Sequence, residues 1–367
     1  MAEFLGDLDT PVALVDVPAL EVNLASMASI TQEAGVGHRP HTKSHKTREI
    51  AERQIAHGAA GLTVAKVGEA EAMVTAGFDD IFVAYPVIGD LKYDRLLTLM
   101  SRARLRVAVD SVESVDAASA YFSKHGVELE VLVEFDGGAG RSGTQSAAEA
   151  VAVATRVSES PGLVLMGVMS YGNAYGTTDL ALQASIGTRE GTDAVDVAGQ
   201  FLSAGLPAPV VSVGSTPTSR HASRVPGVTE IRAGVYAFND LKQNTLGVAP
   251  LERCALTVLT TVVSHPRADR YVLDAGIKTL AGEDYGWGTY GRIRERPDLL
   301  VTAATEEHGI VTLPPDAADP AWRIGEMVRI IPNHACGCVN MHDTLIAFDG
   351  DETVVDRWAV IGRGRVQ

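Results

Sequence analysis

IFVAYPVIGDLKYDRLLTLMSRARLRVAVDSVESVDAASAYFSKHGVELEVLVEF, residues 81–135, carries the alternation that decides the fold. Three runs rich in β-branched and apolar residues, IFVAY (81–85), LRVAVD (105–110) and LEVLVEF (129–135), are separated by amphipathic stretches at 91–103 and 111–125. A strand that returns to another strand through a helix is a βαβ unit, and successive units lay their strands parallel. The same alternation continues outward on both sides. Strand-like runs VALVDV (12–17), GLTVA (61–65), LVLMGVMS (163–170) and VVSVG (210–214) accompany helix candidates at 18–33, 46–57, 66–76, 146–158 and 179–204. The count favours an α/β fold built on a closed (β/α)8 TIM barrel, although pattern alone leaves an open sheet standing.

Beyond about residue 250 helical periodicity almost vanishes. ALTVLTTVVSH (255–265), RYVLDAG (270–276), GIVTL (309–313), MVRIIPN (327–333), TLIAFDG (344–350) and TVVDRWAVIG (353–362) are strand-like runs divided by turns. They predict a C-terminal, mostly antiparallel β domain over 251–367, after a barrel over 12–250.

With 367 residues, of which 46% are apolar and 21% charged, the chain can bury a large core, which excludes disorder and low complexity. Lys and Arg number 31 against 46 Asp and Glu, a net charge of −15 without a basic cluster, so nucleic acid and anionic membranes are poor partners. Three cysteines, Cys254, Cys336 and Cys338, are too few for a disulfide framework and read as reduced. The first residues, MAEFLGDLDTPVALVD, show neither a basic nor an apolar leader segment, and no run is long enough to span a bilayer. A cytoplasmic location is the expectation.

Four segments are more polar or more constrained than a barrel core requires. GHRPHTKSHKT (37–47) sets Lys43 and Lys46 among His38, His41 and His45. Cationic neighbours lower a lysine pKa, as an imine-forming amine needs, whereas a solvated basic loop is the plain alternative. VSVGSTPTSRH (211–221) ends a strand at Gly214, and Ser215 and Thr216 follow in a small-residue turn suited to a phosphate or to ordinary helix capping. VEFDGGAGRSGT (133–144) places Arg141 in a glycine run, where its fork can meet a phenolate or carboxylate or simply face water.

IIPNHACGCVNMHD (330–343) holds His334 and Cys336. In an extended segment the two share a face and can meet one metal ion, with imidazole and thiolate suiting zinc and open positions left for catalysis. Cys338 is in phase as a possible bystander, and buried cysteine is often inert packing.

Together with TPVALVD (10–16), EIRAGVYAFND (230–240), LDAGIKTL (273–280) and EEHG (306–309), these segments resemble fold-type III pyridoxal-phosphate enzymes. The resemblance is to their metal-dependent D-serine dehydratase and D-threonine aldolase family. It spans nearly the whole chain, and RPHTKSHK, GSTP and HAC together are far more specific than any one alone.

The resemblance implies an alanine-racemase-like barrel and a C-terminal β domain joined by residues 1–11. It implies pyridoxal 5'-phosphate as cofactor, imine-linked to Lys43 rather than Lys46, with Arg141 facing the phenolic oxygen and Tyr171 close to the pyridine ring. Gly214, Ser215 and Thr216 would form the phosphate turn, with Tyr236 nearby. His334 and Cys336 would hold the divalent metal, zinc first and manganese second. The implied activity is that of a lyase on small D-3-hydroxy amino acids, in a homodimer. Within it, Cys336 in place of an aspartate, and the absence of any histidine between His125 and His221, favour a D-serine dehydratase type. D-threonine aldolase is the alternative, ahead of a racemase using Tyr285 or Tyr290 and of a non-enzymatic cofactor-binding protein.

Overall fold

The computed structural model describes residues 2–367. Residues 2–25, 44–50 and 235–364 form one compact unit, and 26–43, 51–234 and 365–367 form the other. The two interleave along the chain instead of meeting at a single linear boundary.

In the first unit, β1 (Val12–Asp16) precedes the eight strands of the other unit in chain order. Those eight are β2 (Gly37–His38), β3 (Leu62–Val64), β4 (Asp80–Pro86), β5 (Arg104–Val109), β6 (Leu129–Phe135), β7 (Leu163–Ser170), β8 (Val210–Val213) and β9 (Glu230–Ile231). They are all parallel, in the order β2-β9-β8-β7-β6-β5-β4-β3. A parallel bridge between His41 and Thr63 joins the ends of that order, so the sheet closes into a barrel and the open-sheet alternative falls.

The helices between these strands start where short polar side chains can cap them. Ser111 and Ser114 form a reciprocal capping pair, Ser146 accepts from the Glu149 amide, and Asp179 accepts from those of Ala181 and Leu182. Strands covered on both faces read as near-continuous apolar runs, as in β6, LEVLVEF. Phe82, Ala108, Leu132 and Met169, one from each of β4 to β7, form a single buried cluster. Nearer the N-terminal ends of the strands lies an ionic chain: Arg39 bridges Asp80 (2.7 Å) and Glu230 (3.0 Å), and Arg106 bridges Asp80 and Glu130. That end of a parallel barrel serves stability more often than chemistry.

The remaining strands are β10 (Leu256–Arg267), β11 (Arg270–Leu273), β12 (Gly291–Ile293), β13 (Val301–Ala304), β14 (Gly309–Thr312), β15 (Met327–Pro332), β16 (Thr344–Phe348) and β17 (Val354–Ala359). They form the mostly antiparallel sheet expected from the C-terminal texture, in the order β13-β14-β11-β10-β1-β16-β17, with β15 pairing β10 and β12.

Two readings of individual strands change. The run at 12–17 was expected among the barrel strands, yet β1 pairs antiparallel with β10 and parallel with β16. A fully buried apolar run looks the same in either sheet, so its pattern cannot select the partner. The barrel instead completes itself with β2 and β9, two residues each and too short to show any period. Among the described residues no helix is long and apolar enough to cross a membrane.

Candidate active site

In the barrel unit, Lys43 follows β2, Arg141 lies in the loop after β6, Tyr171 directly follows β7, and Gly214, Ser215 and Thr216 follow β8. All sit at C-terminal ends of parallel strands, which in a closed barrel is one mouth. Lys43 occupies the single 3-10 turn Thr42–Ser44.

The stretch around Lys43 is not a solvated loop: His38, Arg39, Ser44, His45 and Lys46 are buried. Nor is it a cationic cluster in full, because burial holds His38 down to about 4 and leaves its ring neutral at pH 7. Lys46 takes a left-handed φ of 54°, and its Nζ donates to Asn340 Oδ1 at 2.8 Å.

The loop carrying Arg141 is organised by Asp136, whose carboxylate accepts the amides of Gly138, Ala139 and Gly140. Gly137 is required by close approach: a Cβ there would lie 2.7 Å from Ser170 Oγ and from the Tyr171 carbonyl oxygen. That approach brings the loops after β6 and β7 together and sets the Arg141 guanidinium 5.0 Å above the Tyr171 ring. Two buried polar atoms at these strand ends, Glu134 Oε2 and Ser170 Oγ, have no hydrogen-bond partner among the described residues. Natural interiors seldom leave such atoms unmet, so the mouth suits a polar ligand of the pyridoxal-phosphate kind.

The turn after β8 is held from behind by Glu190, on the helix Leu180–Ser203. Its Oε1 accepts the Gly214 amide at 2.6 Å and its Oε2 accepts the Thr218 hydroxyl at 2.8 Å. Burial pushes this carboxyl upward, against the hydrogen bonds it receives. The Ser215 amide donates to Thr218 Oγ1. Gly214 therefore contributes conformation, a φ of 92°, while its own amide is spent. The Ser215 hydroxyl meets Thr218 Oγ1 at 3.0 Å and the Gly172 carbonyl oxygen at 3.4 Å.

Sequence reasoning missed Glu190. Its signal was the spacing of Gly187 and Gly191 around it: a Cβ at Gly187 would lie 2.8 Å from the Thr218 carbonyl oxygen, so this helix face was shaped for contact.

In the other unit, Tyr236 is buried in the 3-10 turn Val235–Ala237. His334 and Cys336 are not in an extended segment as expected. β15 ends at Pro332, His334 is the N-cap of the short helix Ala335–Val339, and Cys336 is its second residue. Helical winding turns Cys338 away from Cys336, and its Sγ meets the Thr279 carbonyl oxygen in the core. Cys336 Sγ lies 3.5 Å from Ser44 Oγ, and Ser44 is the residue after Lys43 in the chain.

Asp240 was also missed, because its place before a short helix reads as a cap. It does cap, accepting the Gln243 amide with Oδ1, but its Oδ2 also accepts from His334 Nδ1 at 2.8 Å and from the Ala335 amide at 2.9 Å. A carboxylate on Nδ1 fixes the tautomer that presents Nε2 to a metal. Burial works against charge on His334, yet Cys336 and Asp240 more than offset it and hold the imidazole well above its ordinary pKa. A cation bound here would displace protons from the pair. Among the described residues no group of three or more His, Cys, Asp or Glu side chains is placed to hold a metal ion. Asp240→Asn keeps the helix cap and removes the charge on Nδ1. Metal affinity, measured by chelator competition, should fall about 10- to 100-fold; an unchanged affinity would show the carboxylate to be only a cap.

Comparison with known families decides the identity. Residues 15–241 match the family described as alanine racemase, N-terminal domain, and residues 255–348 match the putative serine dehydratase domain. This chain belongs to the fold-type III pyridoxal-phosphate enzymes. It is an enzyme of lyase type, in the D-serine dehydratase and D-threonine aldolase group of that family. The D-threo-3-hydroxyaspartate dehydratase of Delftia sp. is 38% identical, with 92% of this chain and 93% of that protein covered. A D-threonine aldolase from Arthrobacter sp. is 32% identical, with 98% and 94% covered. Among solved structures, a cysteine-to-alanine variant of D-threo-3-hydroxyaspartate dehydratase, in the metal-free form, superposes with a TM-score of 0.91 at 34% identity, covering 97% of this chain and 98% of that one.

Proposed function

We propose that this enzyme dehydrates D-3-hydroxy amino acids, releasing a 2-oxo acid and ammonia, with pyridoxal phosphate and a divalent metal ion as cofactors. The observation that carries the reading is the His334–Cys336 pair, oriented by Asp240, in a chain with no histidine between His125 and His221 to serve as a base in the loop after Tyr171. Bound pyridoxal phosphate supplies an electron sink for the α-carbon, and the metal supplies a Lewis acid for the β-hydroxyl.

The chain's own groups divide the rest of the work. Lys43 would anchor the cofactor through Nζ, and the same amine, once free, would take the substrate's α-proton. Arg141, over the Tyr171 ring, would meet the cofactor's phenolic oxygen, and Ser215 and Thr216 would hold its phosphate, with Glu190 keeping their turn rigid. His334 Nε2 and Cys336 Sγ would hold the metal, zinc being the best match to one imidazole and one thiolate. With no histidine to take the hydroxyl proton, cleavage of the Cα–Cβ bond lacks its base and departure of the hydroxyl as water is favoured. The family resemblance extends the proposal to a homodimer.

The competing aldolase reading predicts glycine and an aldehyde from the same substrates. Purified enzyme supplemented with zinc, given D-serine, D-threonine and D-threo-3-hydroxyaspartate in turn, should yield 2-oxo acid and ammonia in equal amounts. Glycine accumulating with an aldehyde would overturn the dehydratase assignment.

A further inference from the structure

Glu190, buried on the helix Leu180–Ser203, shares its carboxylate between two loops at the barrel mouth. Two of its donors belong to the turn after β8, the Gly214 amide at 2.6 Å and the Thr218 hydroxyl at 2.8 Å. A third belongs to the loop after β7, because the Gly172 amide donates to the same carboxylate. Gly172 directly follows Tyr171, so the group that shapes the turn after β8 also holds the peptide unit next to the Tyr171 ring. The link is repeated on the carbonyl side, where the Ser215 hydroxyl meets the Gly172 carbonyl oxygen at 3.4 Å.

Close packing makes the arrangement specific. A Cβ on Gly172 would lie 2.5 Å from Glu190 Oε2, and one on Gly191 would lie 2.8 Å from Val225 Cγ2. Gly172 has no left-handed φ, so glycine serves there for close approach. A buried carboxylate is costly unless its oxygens are met, and here donors from both loops meet it, with Arg232 as the facing cation. The single carbonyl oxygen of a glutamine cannot replace two carboxylate oxygens that face three donors.

We infer that Glu190 is a positioning residue that ties the Tyr171 loop to the phosphate turn, so that recognition of the cofactor's ring and of its phosphate depend on each other. The inference rests on the placement of pyridoxal phosphate in the proposed function. It goes beyond rigidity of one turn, because two loops held in register by one carboxylate are ordered together. Contributions from groups that share such a partner are not additive.

The test uses the full-length protein, freed of cofactor and titrated with pyridoxal phosphate and with pyridoxal, which lacks the phosphate. The wild type should prefer the phosphorylated form, and Glu190→Gln should lower that preference about 10- to 100-fold. Tyr171→Ala, made in the wild type and in Glu190→Gln, completes a double-mutant cycle. Its cost to pyridoxal phosphate affinity should be about 5-fold larger in the wild-type background. Gly172→Ala, which crowds Glu190 Oε2, should reproduce both effects of Glu190→Gln and replaces that variant if it does not fold. Equal costs of Tyr171→Ala in the two backgrounds would make Glu190 a support of the phosphate turn alone and overturn the inference, leaving the cofactor's placement intact. A phosphate preference unchanged in Glu190→Gln would overturn it as well. A wild type that binds the two ligands equally overturns the assignment of the turn to phosphate, and the inference with it.

Discussion

Lys43→Ala is expected to abolish turnover, by about 10,000-fold or more, and to remove the visible absorbance of the lysine-linked cofactor. One amine is asked both to anchor the cofactor and to carry the α-proton, and general-base catalysis alone contributes up to about that factor. No neighbouring lysine can substitute, since Lys46 is buried, left-handed in φ and bound through Nζ to Asn340. Lys46→Ala should therefore retain the absorbance band. The reverse pattern, a band lost with Lys46 and kept without Lys43, would exchange the roles of the two residues.

His334→Ala should lower turnover by about 1,000-fold, the equivalent of the several kcal/mol that a Lewis acid provides to a departing oxygen. The cofactor band should survive, because His334 and Lys43 are assigned different tasks. Chelation of the wild-type enzyme should produce the same phenotype, and zinc should reverse it in the wild type but not in the variant. Full activity after exhaustive chelation would remove the metal from the mechanism. Loss of the band together with the activity would instead make the pair a structural site, whose removal deforms the helix Ala335–Val339 and the Ser44 contact.

Most of the candidate site was legible because its parts are contiguous in sequence. RPHTKSHK, the glycine run before Arg141, the GSTP turn and the HAC segment each occupy one loop or one helix start, and their residue types announce their chemistry locally. The residues that orient them were not legible for the opposite reason. Asp240 meets His334 across 94 positions, and Glu190 meets Gly214 from within a helix whose local pattern is unremarkable in charge. Each is a single polar residue whose partner is chosen by the fold. Even within a legible segment the geometry shifted: His334 and Cys336 were read as neighbours on one face of a strand, yet they are an N-cap and the second residue of a helical turn.

By itself the sequence determined the alternation of parallel strands and helices and the antiparallel texture of the C-terminal part, and it singled out the candidate chemistry-bearing segments. Those properties follow from local periodicity and side-chain chemistry, which the chain carries before it folds. Only the tertiary structure decided that Val12–Asp16 pairs with β10 and β16, that two-residue strands complete the barrel, and that the Gly214 amide is spent on Glu190. Such pairings are selected by shape and burial between segments far apart in sequence, and a local pattern records that a face is buried without recording what covers it.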